Sequence, residues 1–174
     1  MDTNYPHSRG GDEGDTTPKA VGEQVPDFEL PGVGDDGIDL FRLSEFTSDG
    51  ALVLSFYPFD FSPVCTQQLC DFRDAEWLTF TENVDVVGVS VDSAHSHKQF
   101  RAEHELPFPL LTDRLASMAA AFGVKYDSWK HHPAVCKRAV FALDDSRTIR
   151  YRWVTDDGHE QPTLEEIHDA IGWL

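Results

Sequence analysis

The stretch from Leu52 to Asp71, Leu-Val-Leu-Ser-Phe-Tyr-Pro-Phe-Asp-Phe-Ser-Pro-Val-Cys-Thr-Gln-Gln-Leu-Cys-Asp, limits the possible folds more than any other part of the chain. Its apolar run, Ala51 to Tyr57, is continuous, as a central strand buried on both faces requires. The run stops at Pro58, a short loop follows, and Ser62-Pro63 opens a helix with Cys65 in its first turn. Ser62 suits the N-cap, where its hydroxyl can accept from an unpaired backbone N–H, and Pro63 suits the first helical position. Cys65 then stands among free N–H groups at the positive end of the helix dipole. A thiolate is favoured there, and cysteines so placed titrate about one to several units below the free value of ~8.5. A free cysteine in a helix can equally be a small buried packing residue.

The text on either side extends this strand and helix into a single α/β domain, for which 174 residues are sufficient. Residues 1 to 22 are rich in Gly, Asp, Thr and Pro without hydrophobic period, which predicts a disordered acidic tail, with the domain proper over residues 23–174. Val25 to Leu30 alternates like a short strand, Pro31 to Asp36 carries turn chemistry, and Ile38 to Phe41 suggests the return strand. The Cys65 helix extends to about Phe80. Val84 to Val91 is a second buried strand, parallel to the first across a right-handed crossover. Ser93 to Glu105 and Leu115 to Phe122 read as helices, the latter closed by Gly123. Lys125 to Ala134 reads as a polar and aromatic loop. Ala139 to Leu143 and Thr148 to Val154 form a hairpin across Asp144-Asp145-Ser146, and Thr163 caps a last helix. A βαβ half followed by a ββα half is the order of a thioredoxin fold.

Charge and cysteine content narrow the function. Thirty-one acidic residues against fourteen basic ones give a net charge of -17, which repels polyanions and disfavours nucleic-acid binding. The excess is spread along the chain as a solvated surface and resembles that of cytoplasmic proteins of halophilic organisms. Met1 to Ala20 has no apolar block of the signal-peptide kind, and no run reaches the length of a membrane span, so a cytoplasmic protein without membrane contact is expected. Three cysteines do not make a disulfide framework; in a reducing compartment they are catalytic or silent.

Pro58, Ser62 and Cys65 match the Pro-x-x-x-Thr/Ser-x-x-Cys signature of the peroxiredoxins, and Cys65 to Asp74 resembles the bacterioferritin-comigratory-protein branch, also called peroxiredoxin Q. Ser90-Val91-Asp92-Ser93, Leu106 to Asp113 and Arg138 to Phe141 extend the resemblance, which covers roughly residues 23 to 174. It implies a peroxiredoxin-type thioredoxin fold with an N-terminal β extension. It also implies a peroxidase that needs no metal, haem or flavin, acting on hydrogen peroxide or an organic hydroperoxide, recycled by thioredoxin or a similar dithiol, and working as a monomer or homodimer.

By the same resemblance, Cys65 attacks the peroxide and becomes a sulfenic acid, Pro58 shields that group, the Ser62 hydroxyl positions the peroxide, and Arg138 supplies fixed positive charge. Gln68 departs from the Glu that many relatives carry there. A neutral amide can accept a hydrogen bond from Arg138 but cannot pair its charge. Cys70 is the candidate resolving thiol. Five residues along an α-helix separate two Cα atoms by about 8.6 Å, and a disulfide needs less than about 7 Å, so the helix must unwind for the pair to close. Cys136 remains an alternative or a spectator, and His131 and His132 beside it lack the paired spacing of a zinc site. Two rival readings stay open. One is a one-cysteine peroxidase resolved by an external thiol; the other is a redox-sensing or chaperone module on the same fold.

Overall fold

The computed structural model describes residues 17–172, and of Thr79 and Phe80 the backbone alone. The strands β1 (Glu29–Gly34) and β2 (Gly37–Arg42) form an antiparallel ribbon followed by α1 (Leu43–Thr47). Next come β3 (Ala51–Phe56), α2 (Pro63–Asp74), α3 (Glu76–Phe80), β4 (Val84–Ser90), α4 (Ala94–Glu103) and β5 (Leu110–Thr112). The chain ends with α5 (Ser117–Ala121), β6 (Lys125–Trp129), β7 (His132–Cys136), β8 (Arg138–Leu143), β9 (Ile149–Thr155) and α6 (Leu164–Ile171).

Seven strands make one mixed sheet in the order β2-β1-β5-β4-β3-β8-β9, with β3, β4 and β5 mutually parallel where they pair. All six residues of β3 are buried, as its unbroken apolar run predicts for a central strand. Side-chain alternation divides that burial between two cores. Leu52, Leu54 and Phe56 face one cluster with Met118 and Phe122 around α5; Ala51, Val53 and Tyr57 face the other with Leu69, Phe72, Phe100 and Ile167 from α2, α4 and α6. This is the α/β thioredoxin architecture expected, a central mixed sheet between helices with a β ribbon added at the N-terminal side.

Several boundaries differ from the expectation. The first strand begins later than Val25 and runs through Pro31 to Gly34, so the turn shrinks to Asp35-Asp36. Pro31 is accommodated because pairing with β5 starts only at Gly32. The Cys65 helix stops at Asp74 rather than near Phe80, for Ala75 is extended (φ -69°, ψ 102°) before α3 restarts. At that break Arg73 clasps Asp74 through two bonds of 2.7 Å and donates to the His104 carbonyl. The segment Lys125–Ala134 is no loop: β6 and β7 pair antiparallel across Lys130-His131, both with positive φ as a tight hairpin turn demands. Of the expected tail, residues 1–16 lie outside the described residues, while Lys19 N–H donates to Phe122 O and Gly22 N–H to Ile149 O. Gly123 (φ +71°) closes α5 as expected; a Cβ there would lie 2.1 Å from Thr17 O.

Candidate active site

Parallel β3 and β4 end at the same edge of the sheet, and antiparallel β8 begins there, because Phe56 pairs with Ala139. Arg138 therefore starts its strand beside the point where β3 releases the chain into the loop before α2. Its alternation with Val140 and Ala142 puts it on the α2 face of the sheet, the face to which Cys65 also belongs. Thus the thiol of α2 and the guanidinium of β8, distant in sequence, are brought into contact by one strand register.

Arg138 is 1% exposed and Cys65 fully buried. The guanidinium forks onto the sulfur, with Nη1 at 3.4 Å and Nη2 at 3.5 Å from Cys65 Sγ. Nη1 also donates to Gln68 Oε1 at 2.7 Å and Nη2 to the Gly158 carbonyl at 2.9 Å, while Nε has no hydrogen-bond partner among the described residues. Gln68, one helical turn beyond Cys65, gives its amide N–H to Ser55 Oγ at 2.7 Å. The acceptor for Arg138 Nη1 is an amide oxygen, held in place from the floor of the sheet. Trp129 of the β6–β7 hairpin lies against Gly158, where a Cβ would come within 3.0 Å of its ring. That ring is 6.0 Å from Phe59, and Phe59 is 4.7 Å from His132, so the hairpin forms an aromatic wall beside the loop before α2.

The loop itself is anchored at Asp60. Its carboxylate accepts from Tyr57 Oη at 2.7 Å and Ser96 Oγ at 2.8 Å and lies 2.9 Å from His97 Nδ1. Its backbone N–H donates to Asp92 Oδ2, which also accepts from Ser90 Oγ. Burial pushes the Asp92 carboxyl up, against the hydrogen bond it takes from the Asp60 N–H and with the Asp60 charge adding to the rise. The network ties the loop to the ends of β3 and β4 and to the first turns of α4. Sequence reasoning placed Tyr57, Asp60 and Ser55 only as strand or loop residues and His97 only within the helix from Ser93 to Glu105. A buried polar contact between residues remote in sequence leaves no periodic signal.

The other expected site residues are distributed as follows. Pro58 is buried at the start of the loop. Ser62 is the N-cap of α2 with extended backbone, yet its hydroxyl makes no cap hydrogen bond, contrary to the expectation; Thr163 likewise caps α6 by position only. Cys70 lies on the same unbroken helix as Cys65 and is half-buried. Burial raises its thiol, opposed by Arg73 and reinforced by Asp74 and Asp71. Cys136 is fully buried in the core on the opposite face of the sheet from Cys65, and burial holds its thiol well above the ordinary range. His132 Nδ1 faces the Lys130 carbonyl at 2.9 Å in the hairpin turn. Among the described residues no three His, Cys, Asp or Glu side chains are grouped to hold a metal ion, and no helix is long and apolar enough to cross a membrane. A cavity of about 790 Å³ opens at the far end of β3, lined by Ser48, Asp49 and Asp144 among others, remote from the thiol.

The AhpC/TSA family model matches residues 21–152. Peroxiredoxin Bcp of Bacillus subtilis (strain 168) is 35% identical over 154 residues, covering 86% of this chain and 95% of its own. The chloroplastic peroxiredoxin Q of Oryza sativa subsp. japonica is 34% identical over 130 residues, covering 75% of this chain and 57% of its own. Among solved structures, peroxidoxin BcpB from Mycobacterium tuberculosis aligns with a TM-score of 0.75 at 30% identity, over 88% of this chain and 97% of that one.

Proposed function

Because the chain belongs to the AhpC/TSA family, we propose that Cys65 is its peroxidatic residue, Cys70 its resolving residue, and Arg138, Ser62 and Pro58 the groups that shape the peroxide site. The protein is a thiol-dependent peroxidase. The observation that carries the assignment of residues is the guanidinium of Arg138 forked onto Cys65 Sγ at 3.4 and 3.5 Å inside a closed site.

The chemistry follows from that placement. Cys65 is the third residue of α2, among N–H groups without intrahelical acceptors, and both the helix terminus and the Arg138 guanidinium present positive charge to its sulfur. The thiolate attacks the terminal oxygen of the peroxide; an S–O bond forms, the O–O bond breaks, sulfur gives up two electrons, and the departing oxygen takes a proton to leave as water or alcohol. Arg138 stabilises charge passing from sulfur to the departing oxygen at no cost of reorganisation. The Ser62 hydroxyl, not engaged as a cap, can hold the peroxide, while buried Pro58 keeps water from the sulfenic acid. Cys70 then condenses with that acid, releasing water and forming the disulfide. Since both thiols sit on one continuous helix, about 8.6 Å apart between Cα atoms, the first turns of α2 unwind in this step. A dithiol of the thioredoxin kind reduces the disulfide, so electrons enter and leave through thiols, with no metal, haem or flavin in the cycle. The proposed site residues all lie on this chain, an arrangement compatible with a monomer or a homodimer, and three cysteines, too few for a disulfide framework, suit a reducing cytoplasm.

Mass spectrometry of the fully reduced protein after one equivalent of hydrogen peroxide, with thiols mapped by peptide, tests the assignment. A Cys65–Cys70 crosslink is expected. Sulfenic acid at Cys65 with the other thiols free would make this a one-cysteine enzyme, and an unmodified Cys65 would overturn the assignment.

A further inference from the structure

Arg138 is a buried cation, and a guanidinium cannot shed its charge. Its partners are Gln68 Oε1, Gly158 O and Cys65 Sγ. The first two are neutral, and among the described residues no ion pair joins Arg138 to a carboxylate. Of the acids after β9, Asp156 pairs with Lys137 at 2.6 Å, Asp157 Oδ1 accepts from the His159 N–H at 2.9 Å, and Glu160 Oε2 accepts from Thr155 Oγ1; none is hydrogen-bonded to the guanidinium of Arg138 among the described residues. Gln68 has no charge to offer, and its amide nitrogen is already committed to Ser55.

We propose that Gln68 is a positioning residue that ties oxidation of Cys65 to the opening of α2. With an amide at this position the thiolate is the counter-charge of Arg138 within its hydrogen-bond shell, and the folded helix is favoured while sulfur is anionic. This rests on the assignment of Cys65 as the peroxidatic residue. Attack converts the thiolate and peroxide into the sulfenic form and alcohol or water. The sulfenic oxygen must take a proton before it can leave as water in the condensation with Cys70, and the neutral sulfenic acid then leaves Arg138 buried among neutral partners. A buried charge stripped of its partner is strongly destabilising, and the means of relief is to let solvent reach the guanidinium by unwinding the turn that carries Cys65 and Gln68. That movement is the one Cys70 needs. A glutamate in place of Gln68 would keep Arg138 paired in both redox states, with Ser55 Oγ able to donate to the carboxylate, and would hold the helix shut after oxidation.

Wild type, Gln68→Glu and Gln68→Met, treated with one equivalent and then an excess of hydrogen peroxide, separate charge from packing. Gln68→Glu is expected to form the Cys65–Cys70 disulfide about tenfold more slowly and to accumulate Cys65 sulfinic acid at peroxide levels the wild type survives. Gln68→Met, neutral and of similar volume, is expected to form the disulfide at least as fast as wild type. Equal slowing in both variants would overturn the proposal, since a purely structural role moves both alike. A Gln68→Glu disulfide formed at the wild-type rate, with Cys65 oxidised, would overturn it while leaving the peroxidase assignment standing; an unmodified Cys65 in all three would overturn both. Amide exchange gives a check without turnover. Residues 64–70 should exchange faster in Cys65→Ser than in the reduced wild type and regain protection in Cys65→Ser/Gln68→Glu; no recovery in the double variant would equally overturn the coupling.

Discussion

His97 and Asp60 meet at 2.9 Å with both side chains essentially excluded from solvent, and the second ring nitrogen of His97 faces the Leu111 carbonyl at 3.1 Å. The carbonyl can only accept, so Nε2 presents its proton to Leu111 and Nδ1 faces the Asp60 carboxylate. Tyr57 and Ser96 complete the shell of Asp60. Breaking such a pair from one side leaves a buried carboxylate without its ring partner, held by Tyr57 and Ser96 alone. His97→Phe is therefore expected to lower stability by about 3–5 kcal/mol, read from urea unfolding, and to lower kcat/KM for peroxide because Asp60 no longer holds the loop of Pro58 and Ser62. A stability change within experimental error would show that the network is not what anchors the loop.

Arg138→Lys tests the fork. A lysine ammonium is a point charge on a flexible stem and cannot address Cys65, Gln68 and the Gly158 carbonyl together. Loss of one preorganised charge-stabilising contact typically costs about 10²–10³ in rate, so kcat/KM for hydrogen peroxide should fall in that range. Single-turnover oxidation of Cys65, followed with limiting peroxide, makes the comparison without involving the reductant. A variant within a factor of about two of wild type would mean that simple charge, not the fork, suffices.

Burial holds the Cys70 thiol above its ordinary value, with Arg73 opposing and Asp74 and Asp71 adding to the effect. The proton is therefore kept through neutrality, and the nucleophilic thiolate grows as pH rises. Disulfide formation after Cys65 oxidation should accelerate by about tenfold per pH unit below the Cys70 titration, measured by rapid quench and alkylation. The stability linkage has the matching sign: a thiol raised in the folded state stabilises fully below its unfolded value, and that contribution is lost as pH climbs through the folded one. A resolving rate independent of pH would place the rate-limiting event in helix opening instead.

The net charge of -17 predicts a salt response. Exposed carboxylates repel one another in dilute buffer, and the Debye length falls from about 30 Å at 0.01 M to about 3 Å at 1 M. The melting temperature should rise across that interval. A flat profile would remove the likeness to halophilic proteins suggested by the composition.

What could be read in advance was whatever the chain writes locally. The apolar run of β3, the Ser62-Pro63 helix start and the Gly123 stop are periodic or stereochemical signals, and each element formed where they point. The early end of α2 had no Gly or Pro to mark it; it depends on the Arg73 clasp to Asp74 and His104. The β6–β7 hairpin was hidden because its turn residues, Lys130 and His131, adopt positive φ without being glycine or asparagine. Within the site, the contact of Arg138 with Cys65 was anticipated from resemblance, whereas the Ser55 and Gly158 contacts exist only through strand register and chain return.

The central sheet stands between Cys65 and Cys136, whose side chains lie in different cores. Bridging them would require taking the sheet apart, so the two thiols record different events in the life of one molecule. On the proposed assignment, modification at Cys65 would mark an encounter with peroxide, whereas modification at Cys136, closed in the other core, would mark a passage through the unfolded state. The ratio of the two in protein recovered from stressed cells would distinguish molecules that have worked from molecules that have failed.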